Sequence, residues 1–244
     1  MPPSEGKSAP SAGDPVDLDG LAFAAGLTER REALLDALER LGKTPLDRAV
    51  EQLAVSAGQA DEVAVDAALR GAPAGPASSV YSGVLYDRLD LPGLPAAARR
   101  RDAGQVLIAS ALWGFVRPGD RIPYYRLSAK ARLDGFGALA AWWRPALEQV
   151  LPDEPGLLFV DMRSAAYAAA WKPRQASLLA VRALTLKGGK RKPVTHMAKA
   201  IRGEVTRALL LAEHPPVDPE GAAAIASAAG FAVELGDGSL DVIV

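Results

Sequence analysis

The residues with the clearest chemistry stand between Lys187 and Arg207. Lys187, Lys190, Arg191, Lys192, Lys199, Arg202 and Arg207 face a single acid, Glu204, in a 244-residue chain whose formal net charge is only -1. A focused excess of cations in a balanced chain is suited to holding an anion rather than to nonspecific coating of one. On a helix that starts at Thr195, behind Pro193, a step of ~100° per residue puts Thr195, His196, Lys199, Arg202, Gly203, Thr206 and Arg207 in one arc of roughly 140°. Met197, Ala198, Ile201, Val205, Ala208 and Leu209 fall on the opposite side. The spacing therefore predicts one packed face and one face turned to a charged partner, with Gly203 letting a ligand approach the backbone. The plain alternative is a solvated helix face, but such faces usually mix signs and this one is almost purely cationic.

Other stretches carry compatible chemistry. Tyr81 and Tyr86 flank Gly83 and suit stacking on a planar ligand, with ordinary core tyrosines as the alternative. Arg117, Arg121 and Arg126 alternate with Trp113, Tyr124 and Tyr125, an interleaving of cations and rings suited to phosphates and bases. The alternative there is a hairpin whose rings plug the core. Arg163, Ser164 and Tyr167 follow a short apolar run, and polar residues just past a strand end are where α/β proteins commonly place their sites. Near the start, Gly6-Lys7-Ser8 fails as a phosphate loop because the required Gly five positions before Gly6 is Met1. What survives is a Ser4-Glu5-Gly6-Lys7 turn that offers one cation and one carboxylate. If the protein is an enzyme, Glu5 or Asp120 is the expected general base, the Arg and Lys groups are anion clamps, and His196 is the proton donor.

Composition narrows the classes. There are no cysteines and only 2 histidines, which excludes disulfides, thiolate metal sites and Cys nucleophiles and leaves little for a His-based centre. No cofactor and no metal site are expected. No run of 18 or more apolar residues exists, and Met1 to Lys7 has no apolar core after it, so neither a spanning helix nor a signal peptide is expected. A cytoplasmic monomer without membrane partners is the expectation.

The elements that must position these residues follow from periodicity. Leu27, Leu34, Leu35, Leu38 and Leu41 predict an amphipathic helix over 21–41, stopped by Gly42. Further helices are predicted over 45–54, 61–70, 137–151 and 220–229, and strands over 105–110, 157–162, 178–186, 231–235 and 239–244. The stretch 71–77 reads as a turn-rich link and 111–127 as a shaped loop. Strands and helices mix without strict βαβ alternation, so the fold expected is a mixed α/β (α+β) protein, one domain over 1–244, with a central mixed sheet surrounded by helices.

Several separated blocks resemble, in order, those of the YaaA family of bacterial peroxide-stress proteins: Pro2-Pro3-Ser4-Glu5-Gly6-Lys7, Tyr81 to Tyr86, Ser110 to Asp120, Pro123 to Leu127, Arg163 to Tyr167, and Ala198 to Gly203. The resemblance implies a helix-hairpin-helix-like element and a positive cleft that binds duplex or distorted DNA. It further implies a role in protection from hydrogen peroxide and in lowering free iron. By position it carries over Lys7, Arg117, Pro118, Asp120, Tyr125, Arg126, Lys199 and Arg202, while Ser4, Arg163, Ser164 and Tyr167 lie within its matching blocks and are expected at the same anion site. Ala111 stands where better-known members carry Gly, a departure within the block expected to form the hairpin. The expected contact set for DNA is these cations with Lys190, Arg191, Lys192 and Arg207, and with the rings of Tyr81, Tyr86, Trp113 and Tyr125. The alternative is an enzyme acting on a nucleotide, a nucleobase or another anionic small molecule in the same cleft.

Overall fold

The computed structural model describes residues 1–102, 104–188, 190–194 and 197–244. Its helices, in chain order, are α1 (Ala24–Leu41), α2 (Leu46–Leu53), α3 (Glu62–Ala67), α4 (Ala77–Val80), α5 (Val84–Leu89), α6 (Ala96–Asp102), α7 (Leu139–Val150), α8 (Ala165–Ala168), α9 (Ala198–Leu211) and α10 (Pro219–Ala228). The strands are β1 (Ala74–Pro76), β2 (Ile108–Ser110), β3 (Gly114–Val116), β4 (Arg121–Pro123), β5 (Leu158–Asp161), β6 (Ser177–Lys187), β7 (Lys190–Pro193), β8 (Ala232–Gly236) and β9 (Ser239–Ile243). This is the mixed α/β class that the pattern predicts. Contacts gather the chain into two compact units that alternate along the sequence: Met1–Ser82, Val106–Leu151 and Ser164–Trp171 form the first, and Gly83–Gln105, Pro152–Arg163 and Lys172–Val244 form the second.

The first unit is built on α1. Leu27, Leu34, Leu35, Leu38 and Leu41 are all buried, as their spacing predicts, and the same face buries Arg31 completely. Its guanidinium donates to the carbonyls of Ala22 (2.7 Å), Trp113 (3.1 Å) and Phe115 (3.1 Å), so one charged side chain of the helix ties down β3 and the turn before it. Gly42 ends α1 in an ordinary right-handed conformation. Its missing side chain serves packing instead, because a Cβ there would come 2.4 Å from that of Ala67 at the end of α3. Two small antiparallel pairs complete the unit, β1 with β4 and β2 with β3. The Ser110 to Gly114 block, where the resemblance implies a helix-hairpin-helix-like element, is therefore a β-hairpin, with Ser110 opposite Gly114 and Gly114 at φ +72. The 71–77 link and the 111–127 loop also contain short strands that local pattern does not reveal, since β1 and β4 pair across more than 40 residues of sequence.

The second unit holds the five-stranded mixed sheet, in the order β5-β6-β9-β8 with β7 also on β6. β6 is the long central strand. Its first half runs parallel to β5, its middle parallel to β9, and its last residues antiparallel to β7, which closes a lysine-rich hairpin. Gly188 takes φ +60 in that turn, a left-handed conformation for which Gly is the default residue. α9 buries Ile201 and Val205, as predicted, but also Gly203 and Thr206 from the expected polar arc. A Cβ at Gly203 would lie 2.2 Å from the Leu85 carbonyl oxygen, so this glycine lets α9 approach the backbone of α5, not a ligand.

Candidate functional site

In the first unit the opening segment is pulled onto the end of α4 by backbone pairing. Ser82 N–H donates to Gly6 O (3.2 Å), Ser8 N–H donates to Val80 O (2.8 Å), and Lys7 and Tyr81 form an isolated antiparallel bridge. The Ser4 hydroxyl adds a bond to Ser82 O. Two blocks far apart in sequence thus meet, and Lys7 is delivered half-buried against two rings. Its Nζ lies 4.4 Å from the ring centroid of Tyr125 and 6.0 Å from that of Tyr81. Behind it the hydroxyls of Tyr81 and Tyr125 are 2.8 Å apart, and Ser110 Oγ is 2.8 Å from Tyr125. Burial pushes both phenols well above their ordinary pKa.

Carboxylates from α3 complete this cluster. Asp66 Oδ1 accepts the Arg126 N–H at 2.6 Å, and Glu62 Oε1 accepts the Tyr124 hydroxyl at 2.7 Å. Three side-chain atoms here are buried without a hydrogen-bond partner: Asp66 Oδ2, Glu62 Oε2 and Arg126 Nε. Buried polar atoms are paired in the great majority of cases, so three orphans in one cluster ask for an explanation. Burial pushes the Asp66 carboxyl up to about 7, against the pull of the Arg126 and Leu127 N–H groups and the Lys7 charge. Burial likewise lowers the Lys7 ammonium to about 8; Asp66 opposes that and Arg126 adds to it. Two groups of opposite charge type are thereby brought close to neutrality in one place, as acid–base sites require.

The sequence singles out Lys7, Tyr81, Tyr125 and Arg126 but passes over Glu62 and Asp66. A signal was present: the two are four apart, which places both carboxylates on one helical face, and Asp66 shares the buried side of α3 with Val63. Glu5 is exposed, and its carbonyl accepts from Arg126 Nη1 at 3.4 Å. Tyr167 is half-buried, its hydroxyl accepting the Ala129 N–H at 3.4 Å, and burial raises its pKa. Ser164 is exposed.

Asp120 is not part of this cluster's bonding. Its Oδ2 accepts the N–H groups of Ala22 (2.9 Å) and Arg117 (3.0 Å), which makes it a pin for the Arg117-Pro118-Gly119-Asp120 turn. A carboxylate so engaged is poorly placed to take a proton from a substrate. Arg117 is exposed with its guanidinium carbon 5.9 Å from the centroid of Phe23. Trp113 is fully buried and meets Tyr125 edge-on at 6.0 Å, so the rings expected to stack on bases plug the core instead. A concavity lined by Asp17, Asp19, Glu32 and Arg70 is acidic and unsuited to phosphate, since Arg70 is already paired with Glu32 and Asp36 at 2.5 Å each.

In the second unit most of the expected anion contacts are engaged internally. Arg207 donates to the carbonyls of Leu89 (2.9 Å) and Asp90 (2.8 Å) and lies 3.3 Å from the Asp90 carboxylate, so it caps α5. Arg191 pairs with Glu234. Arg163 grips Asp161 with two parallel bonds of 2.8 and 2.9 Å; burial alone would raise that carboxyl, but these bonds hold it below its ordinary range. Arg202 is half-buried and bonds the Val181 carbonyl at 3.4 Å, burial lowering its pKa. Tyr86 is buried in α5. Lys192 and Lys199 are exposed, and among the described residues neither lies in an ion pair. The side chain of Lys190, and His196 as a whole, lie outside the described residues.

The site and fold together define a mixed α/β protein with a partly buried lysine–carboxylate cluster in one unit and a cationic hairpin leading into a helix in the other. The family model described as "Peroxide stress protein YaaA" matches residues 1–234. A UPF0246 protein of Streptomyces coelicolor is 46% identical over 223 residues, covering 90% of this chain and 85% of its own length. UPF0246 proteins of Corynebacterium efficiens (36% over 247 residues, 100% and 97%) and Corynebacterium glutamicum (35% over 238 residues, 96% and 93%) are similar over nearly their full lengths. The chain belongs to the YaaA family of peroxide stress proteins. No helix among the described residues is long and apolar enough to cross a membrane.

Proposed function

We propose that the protein acts in peroxide-stress protection by binding duplex or distorted DNA through its second unit, at Lys192 and Lys199. The observation that carries this reading is the first turn of α9. It holds the exposed Lys199 and no acidic residue. A helix N-terminus disfavours a cation and favours an anion, typically by 0.3–1 kcal/mol. Lysine at that place is well served when a phosphate sits between it and the helix end. Lys192, on the strand that leads into α9, extends the same basic character, and Arg117 is a further exposed cation in the first unit. Fluorescence anisotropy with labelled intact and bulged duplexes at low salt tests the reading. Binding should weaken severalfold in Lys199→Ala and further in Lys192→Ala/Lys199→Ala; equal affinity of the double variant and the parent would overturn it.

A second reading, an enzyme acting on a nucleotide-like or other anionic small molecule, is favoured by the Lys7 cluster. Its half-buried amine, unpaired buried carboxylate oxygen and unpaired guanidinium nitrogen are more than phosphate docking needs. In that reading Asp66 takes the base role that the sequence suggests for Glu5 or Asp120.

A further inference from the structure

We propose that Lys7 is an amine catalyst for small carbonyl compounds that carry a carboxylate or phosphate, with Asp66 exchanging the proton and Arg126 holding the anionic group. The proposal rests on the second reading above and gives it a reaction and a substrate class. Three observations converge. Lys7 Nζ stands 4.4 Å from the Tyr125 ring centroid, and among the described residues no carboxylate reaches it within ion-pair distance. Asp66 is 1% exposed, with one oxygen on the Arg126 N–H and the other unpartnered. Arg126 Nε is buried and unpartnered beside them. A ligand whose anionic oxygen meets Arg126 and whose carbonyl carbon meets Lys7 would pair groups that the protein leaves unpaired.

The chemistry is that of a desolvated lysine. The neutral amine of Lys7 adds to the carbonyl carbon, a C–N bond forms, and the C=O π pair moves to oxygen, which takes a proton from solvent. The nitrogen gives one proton to the Asp66 carboxylate. Asp66 then returns it to the new hydroxyl, which leaves as water while the nitrogen pair forms C=N. Amine, carbonyl and one solvent proton become a protonated imine and water, with no oxidant or reductant. The charged groups around Lys7 are Glu5, Glu62, Asp66 and Arg126, and the lowered ammonium and raised carboxyl already described place both partners in usable states near neutrality.

The test uses the full chain, glyoxylate and sodium cyanoborohydride, which reduces an imine to a stable secondary amine, followed by peptide mapping. At pH 7, Lys7 should be labelled about tenfold or more faster than the exposed Lys192 and Lys199, since a lower pKa raises the neutral fraction. Asp66→Asn should slow labelling of Lys7 and leave Lys192 unchanged. Arg126→Met should slow glyoxylate more than acetaldehyde, which lacks the anionic group. Labelling of Lys7 no faster than of Lys192 in the parent protein overturns the amine chemistry. Lactate, which forms no imine, separates the two levels. If it shields Lys7 from acetic anhydride while glyoxylate fails to trap, a small-anion site stands without imine formation; if it shields nothing and nothing is trapped, both fall.

Discussion

Replacing Asp66 with Asn should stabilise the protein at pH 8 and not at pH 4. The carboxyl is 1% exposed and burial raises it from 3.8 to about 7. A group raised in the folded state binds its proton more tightly there than in the unfolded chain. Its contribution is therefore complete below the unfolded pKa and is lost as pH climbs to the folded one. At 1.36 kcal/mol per unit, the loss between pH 4 and pH 8 is about 4 kcal/mol. Lys7 has the opposite sense: lowered from 10.5 to about 8, it binds fewer protons when folded, so stability recovers between pH 8 and 10.5. Together these two groups give a stability minimum between about pH 7 and 8. Asn keeps the acceptor for the Arg126 N–H and removes the ionisation, so the fall from pH 4 to 8 should shrink by roughly 2–4 kcal/mol. Urea unfolding of both proteins at half-unit pH steps measures this. Parallel pH profiles for parent and variant would refute the argument, because they would mean that Asp66 is either solvated or ionised at no cost.

Three other outcomes follow from the same structure. Gly203→Ala should destabilise by roughly 1–3 kcal/mol because its Cβ meets the Leu85 carbonyl at 2.2 Å, whereas a solvent-facing helix glycine would gain about 1 kcal/mol; thermal unfolding distinguishes the two by sign. If DNA binds, the affinity should fall with salt at a log–log slope of about -2 to -4, since about -0.9 is expected per phosphate and only Arg117, Lys192 and Lys199 are both exposed and free of carboxylates among the expected cations whose side chains are described. A slope near -8 would mean that the internally paired arginines are released on binding. Because the chain alternates between its two compact units in six segments, one cooperative unfolding transition is expected; near-ultraviolet and far-ultraviolet circular dichroism should then give coincident curves.

Local pattern carries the elements well where packing repeats at the helical or strand period. The leucines of α1, the apolar runs of β6 and β9, and the alanines of α10 identify themselves because each buries a face that its own neighbours define. Three-residue strands such as β1 and β4 do not, since what makes them strands is a partner far along the chain. The aromatic block around Trp113 is ambiguous for a related reason: a ring that stacks on a ligand and a ring that fills a core have the same sequence appearance.

By itself the sequence determined the mixed α/β class, the family blocks, the absence of cysteine chemistry and the presence of an excess of cations between Lys187 and Arg207. Tertiary structure alone decided which charges are available. Arg207 is neutralised by Asp90 and Arg191 by Glu234 across long sequence separations, while Lys7, Asp66 and Arg126 come together from three distant segments. Charge is a property of a residue, but its availability depends on what lies within a few ångströms and on how much water remains, and both are set only when the chain has folded.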